Sequence, residues 1–323
     1  MIEVTVYCLA YNHENYIRDA LEGFVKQITT FEYQVIVHDD ASTDETPNII
    51  KEYANKYPKI IKPIFQSTNQ YKYGDLTKKH ILPKLQSEFT AVCEGDDYWI
   101  DPYKLQKQYD YMKNHKQCSL TFSNGYILNC ENSTKRAFIP YSLEDKRFYT
   151  SGDKDYNLNN LYELSFVPTA SYFMRTNMFK KTYEMCNFRC AAGDLQNRAY
   201  LCGLGYCHFM DEYTCVYREN VPNSAMSNWK KENKKLVYDR GKSIFKMLEN
   251  LDKVTDYEYH DGLLKLMLSH CDSLFVENNI LTLITDKRLV ELLKLQNTKV
   301  AIKSIIKLLL PKSITYNRGI SNE

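Results

Sequence analysis

The sequence predicts an α/β fold, in which helices flank a mostly parallel sheet and a helical region follows at the C-terminus. In the first hundred residues, apolar runs rich in β-branched side chains alternate with helical patterns, the order typical of a parallel sheet. From residue 228 onward, apolar residues recur at helical spacing without intervening strand patterns. We therefore expect a catalytic-type α/β domain at residues 1–225 and a helical region at residues 226–323.

The elements of the α/β domain follow from the spacing of apolar residues. A continuous apolar run predicts a buried strand, and a repeat every three to four residues predicts a helix. In chain order, the predicted elements are a strand at 4–9, a helix at 14–26, a strand at 33–38, a helix from Asp44 or Thr46, strands at 60–65 and 89–92, and later strands at 120–128 and 167–174. A helix is also expected between the strands at 60–65 and 89–92. The polar stretch 131–160 is predicted to be a loop or lid of the kind found beside binding sites.

The composition excludes several classes of function. The 42 Lys and Arg residues nearly balance the 40 Asp and Glu residues, so no excess of positive charge indicates nucleic-acid binding. No stretch of about 18 uncharged apolar residues predicts a spanning helix, and the N-terminus has no pattern of a secretion signal. The ten cysteines, including Cys202 and Cys207, lack the spacing of a zinc site. We expect reduced, buried thiols and a cytoplasmic protein.

Polar residues directly follow three of the predicted strands. They are Tyr11-Asn12, Asp39-Asp40 and the acidic stretch Glu94–Asp97. Parallel sheets bind ligands beyond the carboxyl ends of their strands, so these stretches are expected to converge on one site. Three carboxylates within four residues repel each other unless a cation lies between them, which favours a divalent metal. The chain contains neither a P-loop nor a Gly-x-Gly-x-x-Gly fingerprint, so the site differs from both of those nucleotide sites.

Three motifs in sequence order resemble family-2 glycosyltransferases with the GT-A fold. The opening residues 6–12, the turn Asp39–Asp44 and the segment Glu94–Trp99 match the family's pattern over roughly the first 110 residues. The resemblance implies a GT-A-like sheet, a nucleotide-sugar donor, Mn²⁺ or Mg²⁺ and an inverting transfer. The donor is expected to be a UDP-sugar, and the acceptor a glycan or a lipid-linked glycan.

The resemblance also implies roles for individual side chains. Residues implied to bind the donor are Tyr11, Asp39, Asp40, Asn69, Glu94 and Arg218. Asp96 and Asp97 are implied to bind the metal, and Asp194 to act as the catalytic base. For Asp194 an N-cap role at a helix start is the alternative.

Tyr98 and Trp99 follow the acidic stretch and are predicted to stack on an acceptor sugar. Core packing is an equal alternative for Trp99, and turn capping is an alternative for Asp39. Two other functions also stay open. A nucleotidyltransferase that makes a nucleotide sugar would share the strand order and the acids, and a non-catalytic glycan-binding protein would need neither metal nor base.

The C-terminal segment has a basic amphipathic pattern. From Leu292 to Asn322 there is no acidic residue, and Lys299, Lys303 and Lys307 recur every four residues beside an apolar surface. This pattern predicts either binding to an anionic membrane at its inner face or packing on the protein, and the sequence favours neither. Membrane binding would suit a lipid-linked acceptor.

Overall fold

Ten strands of the described residues form one mixed sheet in a computed structural model of the chain. The structure describes residues 1–139, 152–164, 166–188, 190–222, 224 and 234–270. The strands are β1 (Ile2–Ala10), β2 (Glu32–Asp39), β3 (Ile61–Phe65), β4 (Phe89–Val92), β5 (Tyr98–Trp99), β6 (Cys118–Asn129), β7 (Lys135–Ala137), β8 (Lys154–Tyr156), β9 (Phe173–Arg175) and β10 (Tyr206–Glu219). The α-helices are α1 (Ile17–Val25), α2 (Thr46–Lys56), α3 (Lys104–Asn114), α4 (Thr176–Met185), α5 (Gly193–Leu204), α6 (Lys234–Val254) and α7 (His260–His270).

The sheet runs in the order β3-β2-β1-β4-β9-β6-β10-β5, with β7 beside β6 and β8 beside β10. The first four strands in this order are parallel, and β9 is antiparallel to both β4 and β6. Ala10 at the end of β1 pairs with Asp39 at the end of β2, and Tyr7 pairs with Val92 at the end of β4. The polar residues that follow these strands therefore lie at one edge of the sheet. This arrangement confirms the predicted α/β class. The sheet is mixed, and its parallel part includes the run β3-β2-β1-β4.

Strand β1 is buried on both faces, as expected for a central strand of a parallel sheet. Val4, Val6 and Cys8 are fully buried and belong to one apolar cluster with Leu21 and Phe24 of α1. Burying each large apolar side chain contributes roughly 1.5–3 kcal/mol. The spacing of apolar residues in α1 thus fixes the helix against the strand whose end carries Tyr11.

Two elements differ from the sequence prediction. Helix α1 begins at Ile17 rather than at residue 14, because the carbonyl of His13 accepts the N–H groups of Tyr16 and Ile17 in a preceding turn. The segment between β3 and β4 is not a regular helix. It contains a 3₁₀ turn (Tyr71–Tyr73), a π-helical turn (Thr77–Ile81) and a second 3₁₀ turn (Leu82–Lys84).

Backbone chemistry explains the irregular segment. Gly74 has φ 133°, which no regular helix accommodates, and Pro83 lacks an N–H to donate. The stretch predicted as a loop, residues 131–160, includes the short strands β7 and β8, although residues 140–151 lie outside the described part.

A disulfide joins Cys202 near the end of α5 to Cys207 in β10. The prediction that these thiols are reduced is therefore wrong for this pair. The two Cα atoms are 5.5 Å apart, within the range that a disulfide spans, because the chain turns back directly from helix to strand. Of the described cysteines outside this pair, all but Cys130 are buried.

The chain divides into two compact units, residues 1–189 with 193–230 and residues 190–192 with 231–323. The predicted boundary lay at residues 225 and 226. In the second unit the described helices are α6 and α7, with Leu263 and Leu266 of α7 buried. Of the helices described, none has the length and apolar character needed to cross a bilayer. The basic amphipathic segment, residues 292–322, lies outside the described residues.

Candidate functional site

A cavity of about 690 Å³ opens at the carboxyl ends of β1, β2 and β4. Its size falls in the range typical of small-molecule sites. Its lining residues are Leu9, Ala10, Tyr11, His13, Asp40, Asn69, Tyr71, Lys72, Asp75, Leu76, Thr77, Glu94, Asp96 and Ser224. The cavity brings together five residues predicted from the sequence: Tyr11, Asp40, Asn69, Glu94 and Asp96. Tyr11, Asp40 and the pair Glu94 and Asp96 come from the ends of β1, β2 and β4, as the motif analysis expected, and Asn69 lies in the segment after β3.

The turn after β4 carries the acidic motif and packs closely on the end of β1. The N–H of Cys93 donates to Tyr7 O at 3.2 Å, and the N–H of Gly95 donates to Leu9 O at 2.9 Å. A Cβ atom at Gly95 would lie 2.8 Å from His13 Nδ1, so a larger residue would push the turn away. Gly95 therefore lets the two acids beside it reach the cavity.

Glu94 and Asp96 are the acids of this turn that line the cavity. The Asp96 side chain is 19% exposed, and its Oδ2 lies 3.9 Å from His13 Nε2. The Glu94 Oε2 atom is buried and has no hydrogen-bond partner among the described residues. Burial, followed by repulsion from Asp96 and Asp194, raises the pKa of Glu94 to about 7. Both carboxylates therefore carry unused capacity to bind a cation or a hydrogen-bond donor.

Asp97 has a different environment from its neighbour. It is 3% exposed, and its Oδ1 accepts the backbone N–H of Arg218 at 2.9 Å. Burial, and then repulsion from Asp96 and Glu94, raises the pKa of Asp97 well above its usual value. The geometry supports Asp96 as a metal ligand and gives Asp97 a structural contact between the turn and β10.

The Arg218 side chain also makes internal contacts. Its Nη1 donates to the backbone oxygen of Asp96 at 2.8 Å, and its Nη2 pairs with Asp19. The guanidinium lies 4.5 Å from the centre of the Tyr98 ring, a cation–π contact. In this arrangement Arg218 holds the acidic turn through the Asp96 backbone. Its predicted role in binding the sugar donor stays a prediction.

Asp40 holds the irregular segment beside the cavity. Its Oδ1 accepts the N–H of Gln70 at 2.7 Å, and its Oδ2 accepts the N–H of Tyr71 at 3.0 Å. The Asn69 amide lies 3.5 Å from the backbone oxygen of Asp40. Because both carboxylate oxygens accept backbone N–H groups, Asp40 fixes this wall of the cavity.

Asp39 makes the turn-capping contact that the sequence offered as an alternative. Its Oδ2 accepts the N–H of Ser42 at 3.2 Å, and burial raises its pKa. The other carboxylate oxygen, Oδ1, is buried without a partner in the described part of the chain.

Trp99 is a core residue in the structure. It is 4% exposed, its Nε1 donates to Ala170 O at 2.7 Å, and its ring meets Phe24 edge-on at 4.9 Å. These contacts favour the core alternative over sugar stacking, because no accessible ring face is left for an acceptor. Tyr98 is half-buried under Arg218 and borders a second cleft of about 430 Å³.

Asp194 lies in the first turn of α5 and is half-buried. Its charge contributes to the raised pKa of Glu94 and also to that of Tyr172. Asp194 is thus electrostatically coupled to the acidic turn, although it is not one of the residues that line the cavity.

The sequence reasoning missed several cavity residues, among them four that carry polar groups: His13, Tyr71, Lys72 and Asp75. His13 stands directly after the polar stretch that ends β1, so its position offered a signal. The other three belong to the irregular segment, whose course depends on Gly74 and on the Asp40 anchor. No local pattern predicts that course.

The site fits a cation that takes only one or two ligands from the protein and the others from water or substrate. It does not fit a cation whose ligands all come from the protein. In the described ranges, no group of three or more His, Cys, Asp or Glu side chains could hold a metal. Mg²⁺ commonly takes one or two protein carboxylates and completes its shell with water and phosphate oxygens. A partly exposed Asp96 beside an unpartnered Glu94 atom fits that donor set.

The chain matches the model of "Glycosyl transferase family 2" over residues 5–182, more than half of its length. It is 37% identical over 172 residues to an uncharacterized protein of Mycobacterium tuberculosis, a match covering 53% of this chain and 46% of that protein. It is 32% identical over 150 residues to the putative glycosyltransferase EpsE of Bacillus subtilis, covering 46% of this chain and 52% of EpsE. The matches thus span about half the length of these curated relatives.

A solved structure of Staphylococcus aureus TarS, residues 1–349 in complex with UDP-GlcNAc, has a similar fold. The TM-score is 0.63 at 16% identity, and the match covers 98% of this chain and 83% of the TarS chain. At that identity the likeness shows the fold alone. The motifs at the strand ends, the GT-A-like sheet and the extent of the family match lead to one conclusion: this chain belongs to glycosyl transferase family 2.

Proposed function

We propose that this chain is a glycosyltransferase that moves a sugar from a UDP donor to a glycan or lipid-linked acceptor, with inversion at the anomeric carbon. The observation that carries the proposal is the cavity in which Tyr11, Asp40, Glu94 and Asp96, from the ends of three strands, meet Asn69 of the segment after β3. The UDP-GlcNAc complex of the TarS structure supports a uridine nucleotide as the first donor to test.

The nucleoside would bind where Tyr11 and Asn69 border the cavity. Tyr11 is 45% exposed, so its ring face is available for stacking on a base. Asn69 offers an amide beside the Asp40 anchor, and amides pair with the polar edge of a pyrimidine. Because Asp40 already holds the segment in place, little ordering is required when the nucleotide binds.

The diphosphate would bind between Asp96 and Lys72, which both line the cavity. Asp96 would hold Mn²⁺ or Mg²⁺, and Glu94 beside it would contact the cation's water or the ribose. A bound cation stabilises the charge that develops on the leaving diphosphate. The Lys72 ammonium would add positive charge to the same region.

Asp194 would act as the base. As the acceptor oxygen bonds to the anomeric carbon, the bond from that carbon to the diphosphate oxygen breaks, and the acceptor proton passes to the Asp194 carboxylate. The charge of Asp194 is one of the causes that raise the pKa of Glu94, and this interaction supports the role.

The acceptor proposal rests on the sequence of the C-terminal segment. Lys299, Lys303 and Lys307 form the basic stripe that would bind an anionic membrane surface, where lipid-linked acceptors lie. We expect the full chain to sediment with anionic vesicles at low salt, and truncation after Gln296 to release it without unfolding the catalytic domain. Unchanged sedimentation of the truncated chain would contradict the role of this segment.

The test of the function is product analysis with purified protein, Mn²⁺ and a panel of UDP-sugars. Release of UDP, with the sugar transferred to acceptor or to water, would support the proposal. Formation of nucleotide sugar from sugar phosphate and UTP, with release of pyrophosphate, would instead support the nucleotidyltransferase. Failure of the protein to bind any nucleotide would favour the non-catalytic alternative.

A further inference from the structure

His13 lines the cavity together with Asp96 and has no part in the proposed function, on which this inference rests. Its Nε2 lies 3.9 Å from Asp96 Oδ2. Its Nδ1 is buried, and no described residue provides it with a hydrogen-bond partner. Nε2 is therefore the imidazole nitrogen that faces the carboxylate.

The backbone fixes the position of this imidazole. The His13 N–H donates to Thr46 Oγ1 at 2.8 Å, and the His13 carbonyl accepts two N–H groups at the start of α1. On the other side, a Cβ atom at Gly95 would lie only 2.8 Å from Nδ1, so the bare glycine backbone packs against the ring. His13 and Asp96 are thus held opposite each other by two separate elements, as a preorganised ligand pair requires.

The separation of the two atoms suits a shared ion. A divalent cation lies about 2.1 Å from nitrogen or oxygen ligands, and twice that length exceeds the 3.9 Å between Nε2 and Oδ2. One ion can therefore contact both atoms without movement of the backbone. As a direct contact, by contrast, 3.9 Å is too long for a hydrogen bond.

We propose that His13 Nε2 is a second protein ligand of the cation held by Asp96, and that it determines which cation the site prefers. Carboxylate and water ligands suit Mg²⁺, whereas imidazole increases affinity for later first-row ions. The site should therefore bind Co²⁺ and Mn²⁺ with UDP more tightly than it binds Mg²⁺ with UDP.

Pulsed electron paramagnetic resonance of bound Mn²⁺ tests the ligand directly. In the full chain with Mn²⁺ and UDP, we expect coupling to a nitrogen nucleus that changes when the histidines carry ¹⁵N and disappears in His13→Gln. The isotope experiment needs no mutation, so it stays decisive even if the variant folds poorly. His115→Gln removes an exposed imidazole outside the cavity and should leave the coupling intact.

Metal affinity gives a second measurement. Titration calorimetry with UDP present should show that His13→Gln weakens Co²⁺ binding by at least about tenfold, while Mg²⁺ binding changes by less than about twofold. Equal weakening for both ions would show that His13 acts through the shape of the site and would overturn the proposal.

The two proposals fail in different ways. If Mn²⁺ and UDP bind without coupling to a histidine nitrogen, His13 is not a ligand, and the proposed function stands. If the wild-type chain binds neither Mn²⁺ nor UDP, both proposals are overturned.

Discussion

Two neighbouring parts of one motif differ in how their polar groups are used. The cavity side, Glu94 and Asp96, has carboxylate atoms that face the cavity without a full set of partners. The support side, Asp97 and Trp99, has its polar atoms bonded to Arg218 and Ala170. These residues are at most five positions apart, yet the polar atoms of one pair face the cavity and those of the other pair are bonded to the protein.

Whether a buried carboxylate oxygen has a hydrogen-bond partner distinguishes candidate ligand-binding acids from structural acids within a motif. A buried polar atom without a partner costs roughly 1–3 kcal/mol, so each such atom requires an explanation, and a bound ion, ligand or water is one. Glu94 Oε2 is such an atom. Burial also raises the pKa of the Glu94 carboxyl to about 7. Asp97 accepts a backbone N–H and therefore stabilises the turn whether or not a ligand is bound.

The largest effect is expected for Asp194, whose charge contributes to the raised pKa of Glu94 on the cavity side. Asp194→Asn should lower the transfer rate by about 10²–10⁴-fold, because a neutral amide cannot accept the proton. Binding of UDP with Mn²⁺, measured by calorimetry, should stay within about twofold of wild type. A matching loss of UDP affinity would instead indicate a structural role in the first turn of α5.

Asp96→Asn tests the cavity side at its centre. Removing one charge should weaken Mn²⁺-dependent UDP binding by at least about tenfold. The melting temperature should change little, because the Asp96 carboxylate makes no hydrogen bond among the described residues and its Oδ2 lies 3.9 Å from His13 Nε2. Unchanged dependence of UDP binding on Mn²⁺ would show that the metal assignment is wrong.

Asp97→Ala tests the support side. The Arg218 N–H would lose its acceptor, which should lower the free energy of unfolding by about 1–3 kcal/mol in denaturant titration. Asp97→Asn is the matched control, since its amide oxygen can still accept that N–H and its neutral form avoids a buried charge. If Asp97→Asn abolished Mn²⁺ binding while the fold stayed intact, Asp97 would belong to the cavity side.

A pH titration tests His38, a buried residue whose Nε2 lies within hydrogen-bond distance of Gln66. Gln66 Nε2 lies 3.0 Å from His38 Nε2 and 3.2 Å from His80 Nδ1. Burial, opposed by Asp40 and aided by His80, lowers the pKa of His38 to about 4. Between the usual histidine value of about 6.5 and this lowered value, the unfolded chain binds a proton that the folded chain does not.

Stability should therefore fall as the pH drops through that window, by at most about 1 kcal/mol per pH unit from His38. Denaturant titrations at several pH values check this slope, and His38→Gln should reduce it. A slope that is the same in the variant would assign the pH dependence to other groups.

The smallest expected effect concerns Trp99. Trp99→Phe removes the hydrogen bond to Ala170 O and should cost about 1 kcal/mol of unfolding free energy. The KM for acceptor should not change, because the ring packs on Phe24 in the core. A rise in KM at unchanged stability would restore the sugar-stacking role.

The sequence predicted the parallel core well because its signals are local. The apolar run of β1 and the helical spacing of apolar residues in α1 each predict one element. The polar stretches after the strands predicted Tyr11, Asp40 and Asp96 as site residues. What the sequence did not predict depends on contacts between distant residues. The Asp40 anchor places Tyr71 and Lys72 at the cavity from 30 or more positions away.

Neighbouring residues in a motif were also predicted to share a role. Asp96 and Asp97 are adjacent acids, and only the position of β10, more than 100 residues later, separates them. The pairing of Cys202 with Cys207 likewise depends on the turn from α5 into β10. Spacing alone gives no information on which thiols meet or on which carboxylate faces a cavity.

The most direct test of the account is the anomalous scattering of Mn²⁺ in crystals grown with Mn²⁺ and UDP. The account predicts one peak within about 2.2 Å of an Asp96 carboxylate oxygen, with UDP in the cavity beside Tyr11 and Asn69. Asp97 should keep its bond to the Arg218 N–H in that complex. A peak on Asp97, or UDP bound outside the cavity, would contradict the division of the motif into a cavity side and a support side.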